Sequence, residues 1–492
     1  MPATITLPQQ PQDYNLVVGS NVYTLASITA NEDAYVLQIE AYNEDSPGSE
    51  ATTIATIQQP ANPAGVAHFD VSKILQSYMD IAFVEETQEV SETLGETLTY
   101  RVRYGSITDD VITFNNYSAV KRVFNGYVDW RELNWTDYNR FFHTTGYVFE
   151  CICEVPPCEF SANFVQRAEY LTNYPMSSIP VRSSVYHTLS FPNRVANYDN
   201  GSQWGNNEQP WAVRIKYYDV SDQEIATYIY AISEQTGLGP RSTFSDTTIG
   251  NYKDSEWIGT VGAGPQNLKD AGYWPQSSGA IWNQIVQVWG NYSQIWNSAS
   301  STAIVDYYTV EVMSVNMCTW GELGPPANDE ATTLEPYLGY ALYKETFQVT
   351  DPCTGYEPVT VSFVNQYGVK DYFTFDRRNT YNQNIRRNNY TQVLGSWSDA
   401  TYTIDPHGRG QRTFSTQIET NMTVSSYWMS DEESAWLEEL FTSPHIQVYY
   451  NGVWEPAVIT SNTYSQKTNT RDGLFQHTLN LQFANNKKVQ RG

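Results

Sequence analysis

The sequence predicts a mainly β protein made of several β-sandwich-like modules with a few short helices. Aromatic residues are abundant, with 14 Trp, 37 Tyr and 19 Phe in 492 residues, and aromatic side chains favour strands. Many short segments alternate apolar and polar residues with the period of two that half-buried strands show. Helical periodicity is confined to a few short segments.

Length and charge divide the chain into three expected domains. A chain of 492 residues holds about three domains of ordinary size. Positions 1–110 contain 16 acidic and three basic residues, which supplies half of the net charge of −26. Residues 1–118 are therefore expected to form an acidic β-sandwich-like domain. Residues 119–355 are expected to form an irregular β-rich middle domain with long loops, and residues 356–492 a C-terminal β domain with one capped helix, 430–441.

The first domain begins with the signals of a hairpin and a short helix. Positions 35–41 alternate in hydrophobicity, the turn-rich segment NEDSPGSE follows, and a second strand resumes at 52–57. Asp70 is a suitable N-cap for a helix through VSKILQSYM. The segment TLTYRVRYG predicts another strand.

The middle domain has one clear hairpin and one ambiguous segment. Residues 211–230 alternate on both sides of the turn VSDQE, and YYTVEVMSV predicts a further strand. In AIWNQIVQVWGNYSQIW, the tryptophans fit a helical stripe, whereas Val286 and Val288 suit a strand. The β-rich context favours the strand. A long stretch rich in glycine, serine and threonine precedes this tryptophan-rich segment, and loops of that length usually serve a function or an interface.

The C-terminal domain has the clearest pattern. VTVSFVNQYGVKDYFTF predicts a hairpin that turns at 366–368. Ser430 and Glu433 form a capping box that predicts the helix. Its buried side is expected to carry Trp436, Leu437 and Leu440. Asn451-Gly452 is a strong signal of a two-residue hairpin, and alternation over 475–483 predicts a final strand.

Charge and hydropathy exclude several classes of partner. The net charge of −26 disfavours nucleic acid and anionic membranes as partners, because both are negatively charged. No apolar run approaches the roughly 18 residues that cross a bilayer, and the first residues lack the basic and apolar regions of a signal peptide. Five cysteines are expected to be reduced packing thiols, with a local disulfide or half of a zinc site as alternatives. They are Cys151, Cys153, Cys158, Cys318 and Cys353.

The common catalytic signatures are missing from the sequence. It contains no HExxH, GxSxG, Walker A or GxGxxG motif, and its six histidines show no i, i+4 pairing. We therefore expect no enzymatic activity, no metal and no cofactor. Asp129 and Glu132 lie among aromatic residues in NGYVDWRELNWTDYNRFF, and glycosidases hold sugars near two carboxylates. The favoured interpretation is that the aromatic residues of this segment pack and that Asp129 and Glu132 are solvated. A glycoside hydrolase is kept as the third possible function, after the two described below.

One positive strip interrupts the acidic background. Residues 370–412 contain seven basic and four acidic residues, a net charge of +3. The candidate subunit-docking residues are Arg377, Arg378, Arg386, Arg387, Arg409 and Arg412. The segments NTYNQNIRRNNY and DPHGRGQR, which hold most of them, are expected to be loops outside the core. They are either simply solvated or paired with an acidic neighbour, such as the N-terminal block of another copy, and a nucleic-acid contact is the third alternative.

Several segments together resemble tail or baseplate structural proteins of phages that infect Bacteroidota. They are HFDVSKILQSYM, FVNQYGVKDYFTFDRR and SDEESAWLEELFTSPHIQVYYNGVWEPAVITSNTYSQK, followed by LNLQFANN. The resemblance implies a non-enzymatic virion protein, acting as a hub, adaptor or ring component. It also implies synthesis in the host cytoplasm and assembly into a symmetric ring with other copies and other tail proteins.

A carbohydrate- or receptor-binding protein of the tail tip is the main alternative. Such a protein is also aromatic and rich in strands, and its exposed tryptophans stack on sugar rings. The candidate aromatic contacts are Trp130, Trp135, Trp282, Trp289 and Trp296. Coplanar tryptophans in an open groove favour glycan binding, whereas tryptophans that pack inside the fold or at subunit contacts favour a scaffold.

Overall fold

The computed structural model places the chain in two compact units. The first unit comprises Met1–Asp351 and Asn365–Lys370, and the second comprises Pro352–Val364 and Asp371–Gly492. The residues described are 5–11, 14–19, 21–27, 34–42, 51–79, 90–92, 97–108, 111–127, 151–152, 159–160, 170–175, 178–182, 184–194, 211–232, 256–271, 274, 286–288, 291–297, 305–315, 338–350, 355–393, 395–404, 407, 410–461, 475–484 and 488–491.

Strands dominate both units, which confirms a mainly β fold with a few short helices. The first twenty-one strands are β1 (Ile5–Gln9), β2 (Tyr14–Val18), β3 (Val22–Ser27), β4 (Ala34–Ala41), β5 (Thr52–Pro60), β6 (Val66–Asp70), β7 (Val90–Glu92), β8 (Thr97–Thr108), β9 (Val111–Tyr117), β10 (Lys121–Tyr127), β11 (Cys151–Ile152), β12 (Glu159–Phe160), β13 (Ile179–Val181), β14 (Thr188–Arg194), β15 (Trp211–Tyr218), β16 (Glu224–Ile232), β17 (Glu256–Gly262), β18 (Val286–Val288), β19 (Asn291–Asn297), β20 (Tyr307–Val315) and β21 (Leu338–Val349).

The remaining strands lie in the second unit, apart from Lys370, which belongs to the first. They are β22 (Val359–Val364), β23 (Lys370–Phe375), β24 (Thr380–Gln392), β25 (Gly395–Ser398), β26 (Thr401–Ile404), β27 (Gly410–Ser425), β28 (Ile446–Tyr450), β29 (Val453–Ile459), β30 (Thr478–Phe483) and β31 (Lys488–Arg491). The helices are α1 (Ser72–Gln76), α2 (Pro265–Asp270) and α3 (Asp431–Thr442). In the described residues, no helix is long and apolar enough to cross a membrane.

Two sheets share one core in the N-terminal part of the first unit. One has the strand order β1-β3-β6, and the other has the order β2-β10-β8-β4-β5, with β9 paired to β8. The side chains of Tyr23 and Tyr100 come from different sheets, and both are fully buried in the shared core. Their hydroxyl groups form a hydrogen bond of 3.3 Å. Helix α1 adds Leu75 to this core. Its N-cap is Val71 and not the predicted Asp70, although Asp70 Oδ1 accepts a hydrogen bond from the amide of Ser72, the first residue of the helix.

A larger sheet forms a separate hydrophobic core in the first unit. Its strand order is β13-β21-β20-β15-β16-β19-β18, and a three-stranded sheet, β14-β17-β7, contributes to the same core. The expected hairpin at 211–230 is β15 and β16, and the ambiguous tryptophan-rich segment contains two strands, β18 and β19, as the context favoured. Glu311 on β20 lies between Arg214 of β15 and Lys344 of β21. Its Oε2 atom is 2.6 Å from Nη2 of Arg214, and its Oε1 atom is 3.1 Å from Nζ of Lys344.

The turn at residues 365–370 belongs to the first unit, although the residues on both sides belong to the second. Asn365 donates from Nδ2 to the Leu171 carbonyl at 2.7 Å. The Tyr367 hydroxyl donates to Oδ1 of Asn173, also at 2.7 Å. These hydrogen bonds hold the turn of the expected β22–β23 hairpin in a fixed position against residues of its own unit.

The second unit is built on an eight-stranded sheet with the order β23-β22-β28-β29-β30-β27-β24, in which β31 also pairs with β27. Helix α3 begins as expected: Ser430 Oγ accepts from the Glu433 amide, and the Glu433 side chain accepts from the Ser430 amide. The expected apolar side is buried, and Trp436 donates from Nε1 to Oδ2 of Asp371 at 2.8 Å. The Asn451-Gly452 turn joins β28 and β29 with positive φ at both residues, which confirms the predicted hairpin.

Candidate functional site

Residues 380–414, hereafter the arm, form a long antiparallel ribbon with a second hairpin at its tip. β24 pairs with β27 along its whole length, from Thr380 opposite Thr423 to Gln392 opposite Gly410. Beyond the arm, where β27 continues into the main sheet, its residues 415–418 also pair with β31 and its residues 421–425 with β30. Among the described strands, positions 410–414 pair only with β24, so this end of the arm is two strands wide.

β24 corrects the expectation of a loop for NTYNQNIRRNNY. Asparagine disfavours strands, so local propensity gives no strand signal here. The strand forms because β27, a distant segment, supplies a complete ladder of backbone partners. Side chains reinforce the pairing: Asn388 donates to the Ser415 hydroxyl and the Thr413 hydroxyl donates to Asn389, both at 3.0 Å. The segment nevertheless lies outside the core, as expected, since positions 381–391 are all exposed.

The tip of the arm is the short hairpin of β25 and β26. Trp397 lies opposite Tyr402, and their ring centroids are 4.8 Å apart. The turn between them has Asp399 at a φ of 42°, a conformation that aspartate tolerates better than most residues. Gly395 lies under the Tyr402 ring, where a Cβ atom would overlap it. The hairpin therefore holds two aromatic rings together at the end of the ribbon.

Exposed apolar side chains are concentrated on the arm. Of the nineteen large apolar residues that are exposed in the described chain, eight lie here. They are Tyr381, Ile385, Tyr390, Val393, Trp397, Tyr402, Ile404 and Phe414. Trp397 is 81% exposed and Ile404 is 63% exposed, far more than side chains that contribute to a core. Such a cluster of apolar side chains on the surface is typical of an interaction site.

The structure distributes the predicted docking arginines along the arm and its base. Arg377 and Arg378 lie just before the arm, between the end of β23 and the start of β24. The Nε atom of Arg377 is 3.6 Å from Oδ1 of Asp376. Arg386 and Arg387 are adjacent exposed residues in the middle of β24, and strand geometry directs their side chains to opposite faces. Arg412 is exposed on β27, and Arg409 lies outside the described residues.

The predicted aromatic contacts fall mostly outside the described residues. These include Trp130, Trp135, Trp282 and Trp289, together with the two carboxylates considered for glycosidase chemistry, Asp129 and Glu132. Trp296 is placed by its backbone in β19, opposite Thr227 of β16. The sequence analysis missed the tip residues Trp397 and Tyr402. A signal was present, because GSWS and TYTI flank the turn dipeptide DA as two short polar-aromatic segments.

The described part of the chain contains no group of three or more His, Cys, Asp or Glu side chains that could hold a metal ion. Comparison with known proteins finds no family model that matches this chain and no curated protein that matches it.

The arm combines three kinds of binding group. The outer edge of β24 is not paired with any described strand, so its main-chain groups are available for a further strand. Arg386 and Arg387 add positive charge along that edge, and the tip adds exposed aromatic and aliphatic side chains. An extended, acidic polypeptide surface satisfies all three at once, through backbone hydrogen bonds, ion pairs and apolar contacts.

Proposed function

We propose that this chain is a structural subunit of a phage tail or baseplate and that it acts through protein–protein contacts rather than catalysis. The observation that carries the proposal is the arm, a β ribbon whose apolar side chains and outer strand edge face solvent. An open strand edge of this length is an aggregation hazard, and natural proteins normally cover such edges. A neighbouring subunit in an assembly covers it without any change in this chain's own fold.

Two features of the sequence support the same function. Segments in the C-terminal part and around α1 resemble tail and baseplate structural proteins, as described above. The chain also has few charged residues, 17%, and many aromatic residues, 14%, a composition that suits wide interfaces anchored by tyrosine and tryptophan. In this proposal the chain is made in the host cytoplasm and becomes part of the virion tail, next to copies of itself and other tail proteins.

Mass spectrometry of purified virions from the phage that encodes the chain tests this proposal. We expect the chain to co-purify with intact tails in several copies per particle. Electron microscopy of the purified full-length chain is the companion measurement, in which closed particles of defined order support a ring component. Absence of the chain from washed, intact virions contradicts the proposed function, whatever the purified chain does on its own.

A receptor- or carbohydrate-binding role is the second candidate, and the exposure of Trp397 is the observation that favours it. An exposed tryptophan beside a tyrosine can stack on a sugar ring. However, the planes of Trp397 and Tyr402 are inclined at 47°, so the two rings do not form one flat platform. Binding of the full-length chain to a glycan array, with loss of binding in Trp397→Ala, establishes this role, and an array without signal rejects it.

A further inference from the structure

In the first unit, β9 has an outer edge that no described strand covers. β9 pairs with residues 103–108 of β8, and β10 pairs with residues 97–100, both on the side of β8 that β4 leaves open. β2 covers the outer edge of β10, but no described strand continues that row beside β9. The seven residues of β9 span about 23 Å at roughly 3.3 Å per residue. Main-chain groups along this edge are therefore available to an added strand.

One face of β9 carries apolar side chains next to an arginine. Ile112, Phe114 and Tyr117 lie opposite three alternate residues of β8. They therefore share the face of the sheet that carries Arg103, one of those three residues. Ile112 is 44% exposed and Tyr117 is 48% exposed. A strand added to β9 places its own side chains beside this exposed apolar strip.

Arg103 is held by aromatic rings and forms no ion pair within the described part of the chain. Its Cζ atom lies over the ring of Phe114, 4.5 Å from the centroid, and 5.6 Å from the centroid of Tyr117. Both rings belong to β9, so the guanidinium extends from β8 over β9. Cation–π contacts occupy the face of a guanidinium and leave the N–H donors in its plane unused.

The neighbouring arginine on the same face shows which group is missing at Arg103. The Cζ atom of Arg101 lies over the ring of Tyr117 at 4.3 Å from the centroid, and its Nε donates to Oε2 of Glu40 at 2.8 Å. Arg101 thus has both a ring and a carboxylate, whereas Arg103 has rings alone. The planar fork of N–H donors in a guanidinium matches a carboxylate in particular. A carboxylate from a partner is therefore the group that completes the contacts of Arg103.

We propose that the outer edge of β9 binds an extended polypeptide strand that carries a glutamate or aspartate beside Arg103 and an apolar residue beside Ile112. The backbone of this strand pairs with β9, and its carboxylate accepts hydrogen bonds from Arg103. Two acidic residues, Asp109 and Asp110, precede β9 in the sequence, so the acidic residue of the partner belongs at the Tyr117 end of the edge. This site lies in the first unit, whereas the arm belongs to the second, and it does not depend on the proposed function.

Binding of synthetic peptides to the full-length chain, measured by fluorescence anisotropy, is the first test. The peptides are nine residues long, alternate threonine and valine, and carry glutamate, glutamine or lysine at the central position. We expect the glutamate peptide to bind at least about tenfold more tightly than the glutamine peptide, and the lysine peptide to bind most weakly. Equal binding of the three peptides overturns the inference.

Substitutions show whether Arg103 causes this preference. In Arg103→Gln we expect the glutamate and glutamine peptides to bind equally. Arg103→Lys keeps the charge without the planar fork, and we expect it to retain part of the preference. Lys73→Gln is the matched control, because it removes one exposed positive charge from α1 in the same unit, and we expect the full preference there. A preference that survives in Arg103→Gln, or that is lost equally in Lys73→Gln, contradicts the proposed contact.

Hydrogen–deuterium exchange locates the added strand. With the glutamate peptide bound, we expect slower exchange of the backbone amides of residues 111–117 and no change in β24, the open edge strand of the arm. Slower exchange confined to β24 overturns the inference. Slower exchange at residues 111–117 that increases with the concentration of the chain, in the absence of peptide, also overturns it, because another copy of the chain is then the occupant of this edge.

Discussion

Trp397 and Tyr402 face each other across the tip hairpin of the arm, with ring centroids 4.8 Å apart and Trp397 81% exposed. A tryptophan in this position contributes little to the stability of the fold, because most of its surface is already in water. Its burial against another molecule is a large gain, since exposed aromatic residues of this kind dominate the binding energy of interfaces. Folding and association therefore respond differently to its removal.

Replacement of Trp397 by alanine is expected to weaken assembly by about tenfold or more, while the free energy of unfolding changes by less than about 0.5 kcal/mol. Native mass spectrometry or sedimentation velocity measures the first quantity, and denaturant unfolding measures the second. Trp428→Ala is the matched control, because Trp428 is also exposed in the second unit but lies outside the arm. Equal effects of the two substitutions on assembly contradict a specific role for the tip.

The start of helix α3 depends on the reciprocal hydrogen bonds between Ser430 and Glu433. Ser430→Ala removes the acceptor for the Glu433 amide, so we expect the second unit to lose about 1 kcal/mol of stability. Ser430→Asp retains a side-chain acceptor and is expected to stay within a few tenths of a kcal/mol of the parent chain. Urea unfolding of the two variants, followed by circular dichroism, checks the difference. An equal loss in both variants contradicts capping as the cause.

Gly368 is expected to tolerate no side chain. It has a φ of 82°, and a Cβ atom there would overlap the backbone carbonyl of Asn125 in the same unit. Gly65→Ala is the control, since Gly65 has a φ of 73° but no neighbouring atom within 4 Å. We expect Gly65→Ala to cost about 1 kcal/mol, from backbone conformation alone, and Gly368→Ala to cost clearly more. Thermal unfolding compares the two, and equal midpoints show that the backbone at 368 moves away without strain.

Glu345 makes the stability of the first unit depend on pH. Burial raises the pKa of this carboxyl from 4.5 to about 7, although a hydrogen bond from the Thr346 amide acts in the opposite direction. Between pH 4.5 and 7 the folded chain holds a proton that the unfolded chain releases, so stability falls as pH rises. The loss reaches about 3 kcal/mol above pH 7.

Glu345→Gln removes this dependence, because the amide remains neutral at every pH. We expect the variant to be more stable than the parent chain at pH 8 and equally stable at pH 4, where the parent carboxyl is protonated in both states. Urea unfolding of both chains at the two pH values measures the difference. A stability difference that is the same at both pH values contradicts the assignment of the titration to Glu345.

Local signals in the sequence predicted those elements whose formation depends on residues a few positions away along the chain. The capping box of Ser430 and Glu433 and the Asn451-Gly452 turn each act within a few positions, and both appear as predicted. Period-two alternation predicted β15, β16 and the strand that ends at Phe483, because one face of each packs on a core. The fold class followed from the number of such signals.

The tertiary structure alone decided the candidate site. β24 has asparagine at four of its 13 positions and no buried face to impose a pattern, so its sequence resembles a loop. It is a strand because β27 brings a row of hydrogen-bonding partners from more than 15 residues away along the chain. The gathering of Trp397, Ile404 and Phe414 on one ribbon likewise depends on that long-range pairing. The sequence therefore determined the β class and the local turns, whereas backbone pairing between distant segments determined where the exposed binding groups lie.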